Sequence, residues 1–104
     1  MKNDGQALED AAAQRVVAVA VDAEVWQFYH SGVFNSIYCG ITLDHGVAIT
    51  GYGHDDDQGL DYWNVRNSWG GDWGESGYIR ILKTTMKSKG TCGINMDAVY
   101  PIEA

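Results

Sequence analysis

The spacing of apolar and polar residues along the chain predicts one short helix and about five strands. Residues 4–14 have helical spacing of their apolar positions, and Asn3 or Asp4 can cap the start of that helix. The apolar run at residues 16–22 has the length of a strand and lacks polar alternation, which predicts burial on both of its faces. Further strands are predicted at residues 44–52, 61–67, 77–83 and 97–102.

Glycine-rich and polar stretches separate these predicted elements. The aromatic-rich segment at residues 24–30 predicts one or two helical turns that end at Gly32. Many short strands joined by glycine-rich turns are typical of an antiparallel barrel or sandwich. Loops are predicted at residues 35–43, 54–59, 68–76 and 84–91.

Length and charge narrow the classes of function. The 104 residues correspond to one domain or to part of one. The net charge of −7 provides no basic face, so we expect no nucleic-acid partner. No apolar run approaches the roughly 20 residues that cross a membrane, so we expect no membrane partner, and no signal peptide follows Met1 in this chain. The aspartates at residues 55–57, taken with Asp61, do not complete an EF-hand pattern, and we expect neither a metal nor another cofactor.

His45 is the first candidate for chemistry, because it stands at the start of a predicted buried strand. An imidazole changes its charge near neutral pH and can act as a general base and a general acid. The alternative is a histidine with a structural or surface role. His30 and His54 lack such a setting, and we expect both on the surface.

Asn67 is the second candidate, at the end of a predicted strand and two residues before Trp69. A side-chain amide there could accept a hydrogen bond from an imidazole and fix its tautomer, or it could satisfy the backbone of a turn. A nucleophile is harder to find. Neither Cys39 nor Cys92 lies at a predicted helix start, where a thiolate would be stabilised, and Ser68 lies in no nucleophile elbow.

Four segments resemble the papain and cathepsin L-type cysteine proteases. They are VAVAVDAEVWQFYHSGVF (17–34), LDHGVAITGYG (43–53), YWNVRNSWGGDWGESGYIRI (62–81) and TCGINMDAVYPI (91–102), and the resemblance runs from about Leu8 to Ile102. It implies an α+β, papain-like fold. Residues 1–104 would form the C-terminal half, mainly antiparallel β and barrel-like with a short N-terminal helix, without the N-terminal helical domain.

The resemblance also implies roles for individual residues. His45 matches the catalytic histidine, Asn67 the asparagine that orients it, and Trp69 the tryptophan that covers their hydrogen bond. Cys39 and Cys92 match the disulfide positions of this half. The family's nucleophile lies in a Q-x-x-x-C-G-S-C-W-type segment, which this chain lacks together with its oxyanion-hole glutamine.

A pocket for the substrate side chain second from the cleaved bond is implied by the same resemblance. Ala20, Leu43, Asp44 and Asp97 match positions around that pocket. Apolar walls favour Leu, Phe or Val, and a carboxylate at the floor should also accept Arg or Lys. The alternative for Asp97 is a side chain that caps a turn or faces water.

The expected function is therefore that of the C-terminal half of a cysteine endopeptidase, inactive alone for want of its nucleophile. Expected partners are a peptide or protein substrate, the missing N-terminal half, and protease inhibitors or a propeptide. The parent enzyme is expected to be secreted, vacuolar or lysosomal. Two alternatives stay open: a module that folds alone and binds peptide, inhibitor or the missing half without catalysis, and a complete enzyme that uses Cys39 as its nucleophile.

Overall fold

A computed structural model describes residues 3–36 and 38–99 of the chain, with only the backbone of Val99. The order of the elements follows the sequence pattern closely. Two single turns of 3₁₀ helix lie at Trp26–Phe28 and Thr91–Gly93. The helix and strands are α1 (Gly5–Ala12), β1 (Val17–Val21), β2 (Val33–Phe34), β3 (His45–Asp55), β4 (Leu60–Arg66), β5 (Tyr78–Leu82) and β6 (Ala98–Val99).

The six strands form a single sheet in the order β2-β5-β4-β3-β1-β6. Every neighbouring pair is antiparallel except β2 and β5, which run parallel. The predicted α+β class with mainly antiparallel strands is confirmed. Within the described residues the edge strands β2 and β6 do not pair with each other, so the sheet is open and "barrel-like" describes it only loosely.

Helix α1 is fixed at its start by the predicted cap. Asp4 Oδ1 accepts the N–H groups of Gln6 and Ala7 at 3.1 and 3.2 Å, which satisfies two of the free donors at the helix start. The N–H of Gly5 donates to the carbonyl of Met86 at 3.0 Å. The start of helix α1 is therefore in direct contact with the backbone of the segment that follows β5.

The core lies on one face of the sheet. Its largest fully buried side chains are Trp26 and Trp63, and the strands contribute alternate valines and isoleucines. Leu8 of α1 packs into the same cluster. Since each of these strands turns only its alternate residues inward, the other face is left for other contacts.

The prediction that β1 is buried on both faces is wrong. Val17, Val19 and Val21 are buried, whereas Ala18 is exposed and Ala20 is half-buried. The outward residues of β1 are small and apolar, so the sequence lacks the polar alternation that normally marks a one-sided strand.

Other boundaries differ in smaller ways. Strand β3 continues to Asp55, so His54 belongs to a strand and not to the predicted loop, although its side chain is exposed as expected. His30 is also exposed. Strand β2 was not predicted, and the part of the predicted last strand beyond Val99 lies outside the described residues.

Candidate active site

His45 and Asn67 come together from the ends of two neighbouring strands. His45 is the first residue of β3, and Asn67 directly follows β4. The antiparallel pairing of these strands places Ala48 opposite Arg66. The start of β3 and the end of β4 therefore lie side by side at the same end of the sheet. The Nε2 atom of His45 lies 2.7 Å from the Oδ1 atom of Asn67, as the sequence predicted.

The hydrogen bonds around Asn67 fix the tautomer of His45. The backbone N–H of Ser68 donates to Asn67 Oδ1 at 2.8 Å, so that atom is an acceptor and the amide orientation is determined. His45 must then donate from Nε2. In the neutral ring this leaves the lone pair on Nδ1, free to accept a proton.

Asn67 is held in a buried setting, with only 6% of the residue exposed. Its Nδ2 atom has no hydrogen-bond partner among the residues described. A buried amide donor without an acceptor costs free energy, so this donor is a local cost of holding Asn67 in place.

Two tryptophans contact the imidazole of His45. The ring of Trp69 lies 5.4 Å from the His45 ring between centroids, at an angle of 33°. Trp26 approaches the same ring edge-on, at 6.2 Å and 88°. Trp69 itself is 42% exposed, whereas Trp26 is fully buried. The sequence indicated Trp69 through its motif but gave no sign that Trp26 lies beside His45.

The loop between β4 and β5, residues 67–77, carries Trp69 and Trp73 and is called the corner below. An ion pair between Glu75 and Arg80 joins it to β5. Arg80 donates to both carboxylate oxygens of Glu75, at 2.7 and 3.0 Å, and also to Asp55 at 2.6 Å. The hydrogen bond from Arg80 holds the pKa of Glu75 below its ordinary value of 4.5. Paired charges of this kind fix the geometry of the corner.

A cavity of about 830 Å³ opens beside Asn67, on the uncovered face of the sheet. Residues of β1 and β3 and of the loop between β4 and β5 line this cavity. Among them are Ala18, Ala20, Gly46, Ala48, Asn67 and Ser68.

Cys39 and Cys92 form a disulfide, as predicted, with their Cα atoms 5.1 Å apart. The bridge closes a loop with a sequence separation of 53 residues. In the chain-entropy description such a loop is worth about 4 kcal/mol of stability. Because these are the chain's two cysteines, neither is a free thiol, and the alternative of Cys39 as a nucleophile is set aside.

The predicted pocket residues lie around one end of β1. The N–H of Ala20 donates to the carbonyl of Asp97 at 3.1 Å, which places the two side by side. Asp44 Oδ1 accepts the N–H of Ala23 at 3.0 Å, so part of this carboxylate is engaged with backbone. Leu43 is half-buried and reaches Gly93, where an added Cβ would lie 2.9 Å from its Cδ2.

Residues 3–36 and 38–99 contain no group of three or more His, Cys, Asp or Glu side chains that could hold a metal ion. The helices in this part of the chain are all too short or too polar to cross a membrane.

Comparison with known sequences gives clear relatives. The profile of the papain family cysteine proteases matches residues 1–102. Cysteine protease 1 of Oryza sativa subsp. japonica is 51% identical over 104 residues, which are 98% of this chain and 21% of that protein. Vignain of Ricinus communis is 52% identical over 104 residues, 98% of this chain and 28% of that protein. The chain thus spans about a quarter of the length of these relatives.

Solved structures agree. The bromelain protease of Ananas comosus, in complex with the E64 inhibitor, superposes with a TM-score of 0.89 at 46% identity, over 96% of this chain and 46% of that one. The Amb a 11 cysteine protease, a major ragweed pollen allergen, in its proform, gives 0.90 at 39% identity, over 99% and 31%. The fold, the sequence profile and the relatives agree, and this chain belongs to the papain family of cysteine proteases.

Proposed function

We propose that this chain is the C-terminal half of a cysteine endopeptidase and supplies the histidine and asparagine that act on a peptide bond. The single observation that carries the proposal is the 2.7 Å contact between His45 Nε2 and Asn67 Oδ1. It joins a candidate general base to a neutral orienting amide, beside an open cavity.

The geometry supports a defined proton path. A thiol near the free Nδ1 atom of His45 would pass its proton to that atom, leaving a thiolate and an imidazolium. The imidazolium would later donate that proton from Nδ1 to the leaving amine. Throughout, Asn67 accepts from Nε2–H, so the ring keeps its orientation in both charge states.

The nucleophile in this proposal comes from outside residues 1–104, since both cysteines of the chain are in the disulfide. We propose that the N-terminal half of the protease covers the cavity beside Asn67. The small residues on the outer face of β1 would let another element approach closely.

The relatives suggest binding partners for the complete protein, and the disulfide suggests its cellular location. A bromelain protease was solved with the E64 inhibitor and Amb a 11 as a proform, and we propose that the complete form of this protein likewise binds peptide substrates, such inhibitors and a propeptide. A disulfide persists in oxidising compartments, which supports a secreted, vacuolar or lysosomal protein.

A chimera tests the proposal. This chain would replace the matching 104 residues of cysteine protease 1 of Oryza sativa subsp. japonica, and hydrolysis of a fluorogenic peptide would be measured. We expect turnover that a thiol-blocking reagent abolishes, no turnover by the chain alone, and no turnover by the chimera with His45→Ala. The chain with His54→Ala, an exposed histidine, is the matched control and should retain activity in the chimera.

A binding module without catalysis predicts a different outcome. The chimera would then fold and bind an inhibitor or a propeptide-derived peptide but would not cleave a fluorogenic substrate that the rice protein, assayed in parallel as the positive control, cleaves. That result would overturn the catalytic proposal and favour the binding module.

A further inference from the structure

Trp26 connects two parts of the molecule that are far apart in the sequence. Its side chain is fully buried, with 0% of the residue exposed. Its indole N–H points to the disulfide and lies 3.4 Å from the Sγ atom of Cys92, within the range of a weak hydrogen bond to sulfur. One end of Trp26 is therefore in contact with the Cys39–Cys92 bridge.

The ring of Trp26 also contacts the candidate active site. It meets the His45 ring edge-on, with 6.2 Å between centroids and 88° between planes. It stacks on Trp73 at 6.0 Å and 19°, and the Nε1 of Trp73 donates to the carbonyl of Trp26 at 3.1 Å. Trp73 in turn lies 5.2 Å from Trp69, whose ring lies against His45. Trp26 thus supports the imidazole directly and through the corner.

We propose that Trp26 is a positioning residue that couples the disulfide to the orientation of the His45 ring. Its indole N–H contacts Cys92 Sγ. Its ring and that of Trp69 pack against the imidazole and limit how the imidazole can rotate. A loss of either contact would loosen the hydrogen bond between His45 and Asn67. The relevance of this coupling to catalysis rests on the proposed function, whereas the coupling itself depends only on these contacts.

The chain offers a matched control in Trp63. This second tryptophan is also 0% exposed, but its Nε1 atom has no partner among the described residues and its aromatic neighbour is Tyr52. Trp26→Phe and Trp63→Phe therefore remove the same atoms from the same core. Only the first removes a contact to the bridge and alters a ring that touches His45.

The first measurement reads the site. In ¹⁵N-labelled chain, two-bond ¹H–¹⁵N spectra of the His45 ring report its tautomer, and the exchange of the Nε2–H proton with water reports how often the bond to Asn67 opens. We expect Trp26→Phe to increase this exchange by about two- to tenfold, the range that corresponds to losing one aromatic pair. Trp63→Phe should leave it unchanged.

The second measurement follows the disulfide itself, because the indole N–H of Trp26 contacts Cys92 Sγ directly. Dithiothreitol transfers two electrons and two protons to the bridge, giving two cysteine thiols and its own cyclic disulfide. We expect Trp26→Phe to speed this reduction in the folded chain about two- to tenfold and Trp63→Phe to have a smaller effect. Thermal unfolding of both variants reports the shared loss of core packing.

The outcomes decide the proposal without any activity assay. A change in both readouts that is specific to Trp26→Phe supports the coupling. Equal changes in the two variants, or an unchanged His45 signal in Trp26→Phe, would reduce Trp26 to a core residue. If Trp26→Phe does not fold, Trp26→Tyr, which keeps a large ring but also loses the indole N–H, is compared with Trp63→Tyr. An inactive chimera with intact coupling would overturn the proposed function alone.

Discussion

The Oδ1 atom of Asn67 accepts from both the Nε2 of His45, at 2.7 Å, and the backbone N–H of Ser68, at 2.8 Å. The second bond fixes the amide, and the fixed amide fixes the imidazole. Both contacts are made within this chain, so its own residues are sufficient to hold the His45–Asn67 pair in this geometry.

The first prediction concerns the relative importance of these two residues. In the chimera, Asn67→Ala should lower kcat about 10- to 100-fold, which corresponds to one hydrogen bond to a charged group, with a small change in KM. His45→Ala should cost more, at least about 10²- to 10⁴-fold, because the proton-transfer group itself is lost. Steady-state kinetics on the same peptide measures both.

Asn64→Ala is the matched control for that comparison. Asn64 is an asparagine of β4 whose side chain donates to Thr50 Oγ1 at 3.1 Å, away from His45. Its removal should leave kcat within about twofold, as for most substitutions outside a site. A similar loss for Asn64→Ala and Asn67→Ala would show that the effect is structural.

The second prediction concerns acid stability. The pKa of Glu75 is held below its ordinary value of 4.5, chiefly by the hydrogen bond from Arg80. The folded state therefore binds fewer protons than the unfolded state. The stability that this contributes is complete above about pH 4.5 and is lost as the pH falls through the lowered pKa.

Glu75→Gln tests this sign. The variant should be less stable than the wild type by about 1 kcal/mol at neutral pH, since the pair is partly exposed, and the difference should shrink below pH 4.5. Urea unfolding at pH 7, 4 and 3 measures it. Glu24→Gln removes the same charge at an exposed position and controls for the change in net charge. A constant difference at all three pH values would contradict the prediction.

The third prediction uses the close approach of α1 to the segment after β5. Gly→Ala in a helix normally stabilises a protein by about 0.5–1 kcal/mol. At Gly5 the new Cβ would lie 2.1 Å from the carbonyl oxygen of Thr84, which belongs to the backbone and cannot easily move. Gly5→Ala should therefore destabilise the chain, by about 2 kcal/mol or more.

Gly71→Ala is the control for this substitution, because an added Cβ there meets no atom within 4 Å. Its effect on the free energy of unfolding should stay within about 0.5 kcal/mol. If Gly5→Ala stabilised the chain as an ordinary helical substitution does, that result would contradict the close packing of α1 against the backbone of Thr84.

The sequence predicted those parts of the fold that depend on local chemistry. Asp4 caps α1 because its short carboxylate suits an N-cap, and the strands next to His45 and Asn67 bury apolar residues at alternate positions. Strand β2 could not be predicted in this way. It has two residues, pairs in parallel with β5, and has the N–H of Val33 bound to Gln58 Oε1 at 2.7 Å, a partner 25 positions away.

Two features of the site escaped prediction for related reasons. The outward alanines of β1 look the same in sequence whether their own chain or another element covers them, so burial on both faces was the wrong inference. Trp26 is 19 residues from His45 and 66 from Cys92, and no periodic pattern reports contacts at such separations. Tertiary packing alone places it between the bridge and the imidazole.

The fourth prediction concerns substrate preference and rests on the proposed pocket. Asp97 is exposed, and its carbonyl accepts the N–H of Ala20, so the two residues lie together at the end of β1. We propose that the Asp97 carboxylate binds the substrate side chain that is second from the cleaved bond. A carboxylate at the floor of an otherwise apolar pocket should accept Arg through a charge-assisted hydrogen bond, while Leu43 and Ala20 accept Phe or Leu.

The test compares paired fluorogenic peptides with Arg or Phe at that position, in the chimera with and without Asp97→Ala. We expect the Arg-to-Phe ratio of kcat/KM to fall about tenfold, or about 1.4 kcal/mol, with kcat/KM for the Phe peptide nearly unchanged. In Asp97→Asn the Arg-to-Phe ratio of kcat/KM should fall to a similar degree, because the charge is lost while the shape of the side chain is kept. Asp72→Ala removes an equal charge from the exposed corner and controls for long-range attraction of the Arg peptide. An unchanged ratio in Asp97→Ala would mean that this side chain faces water, and an equal fall in Asp72→Ala would assign the preference to net charge.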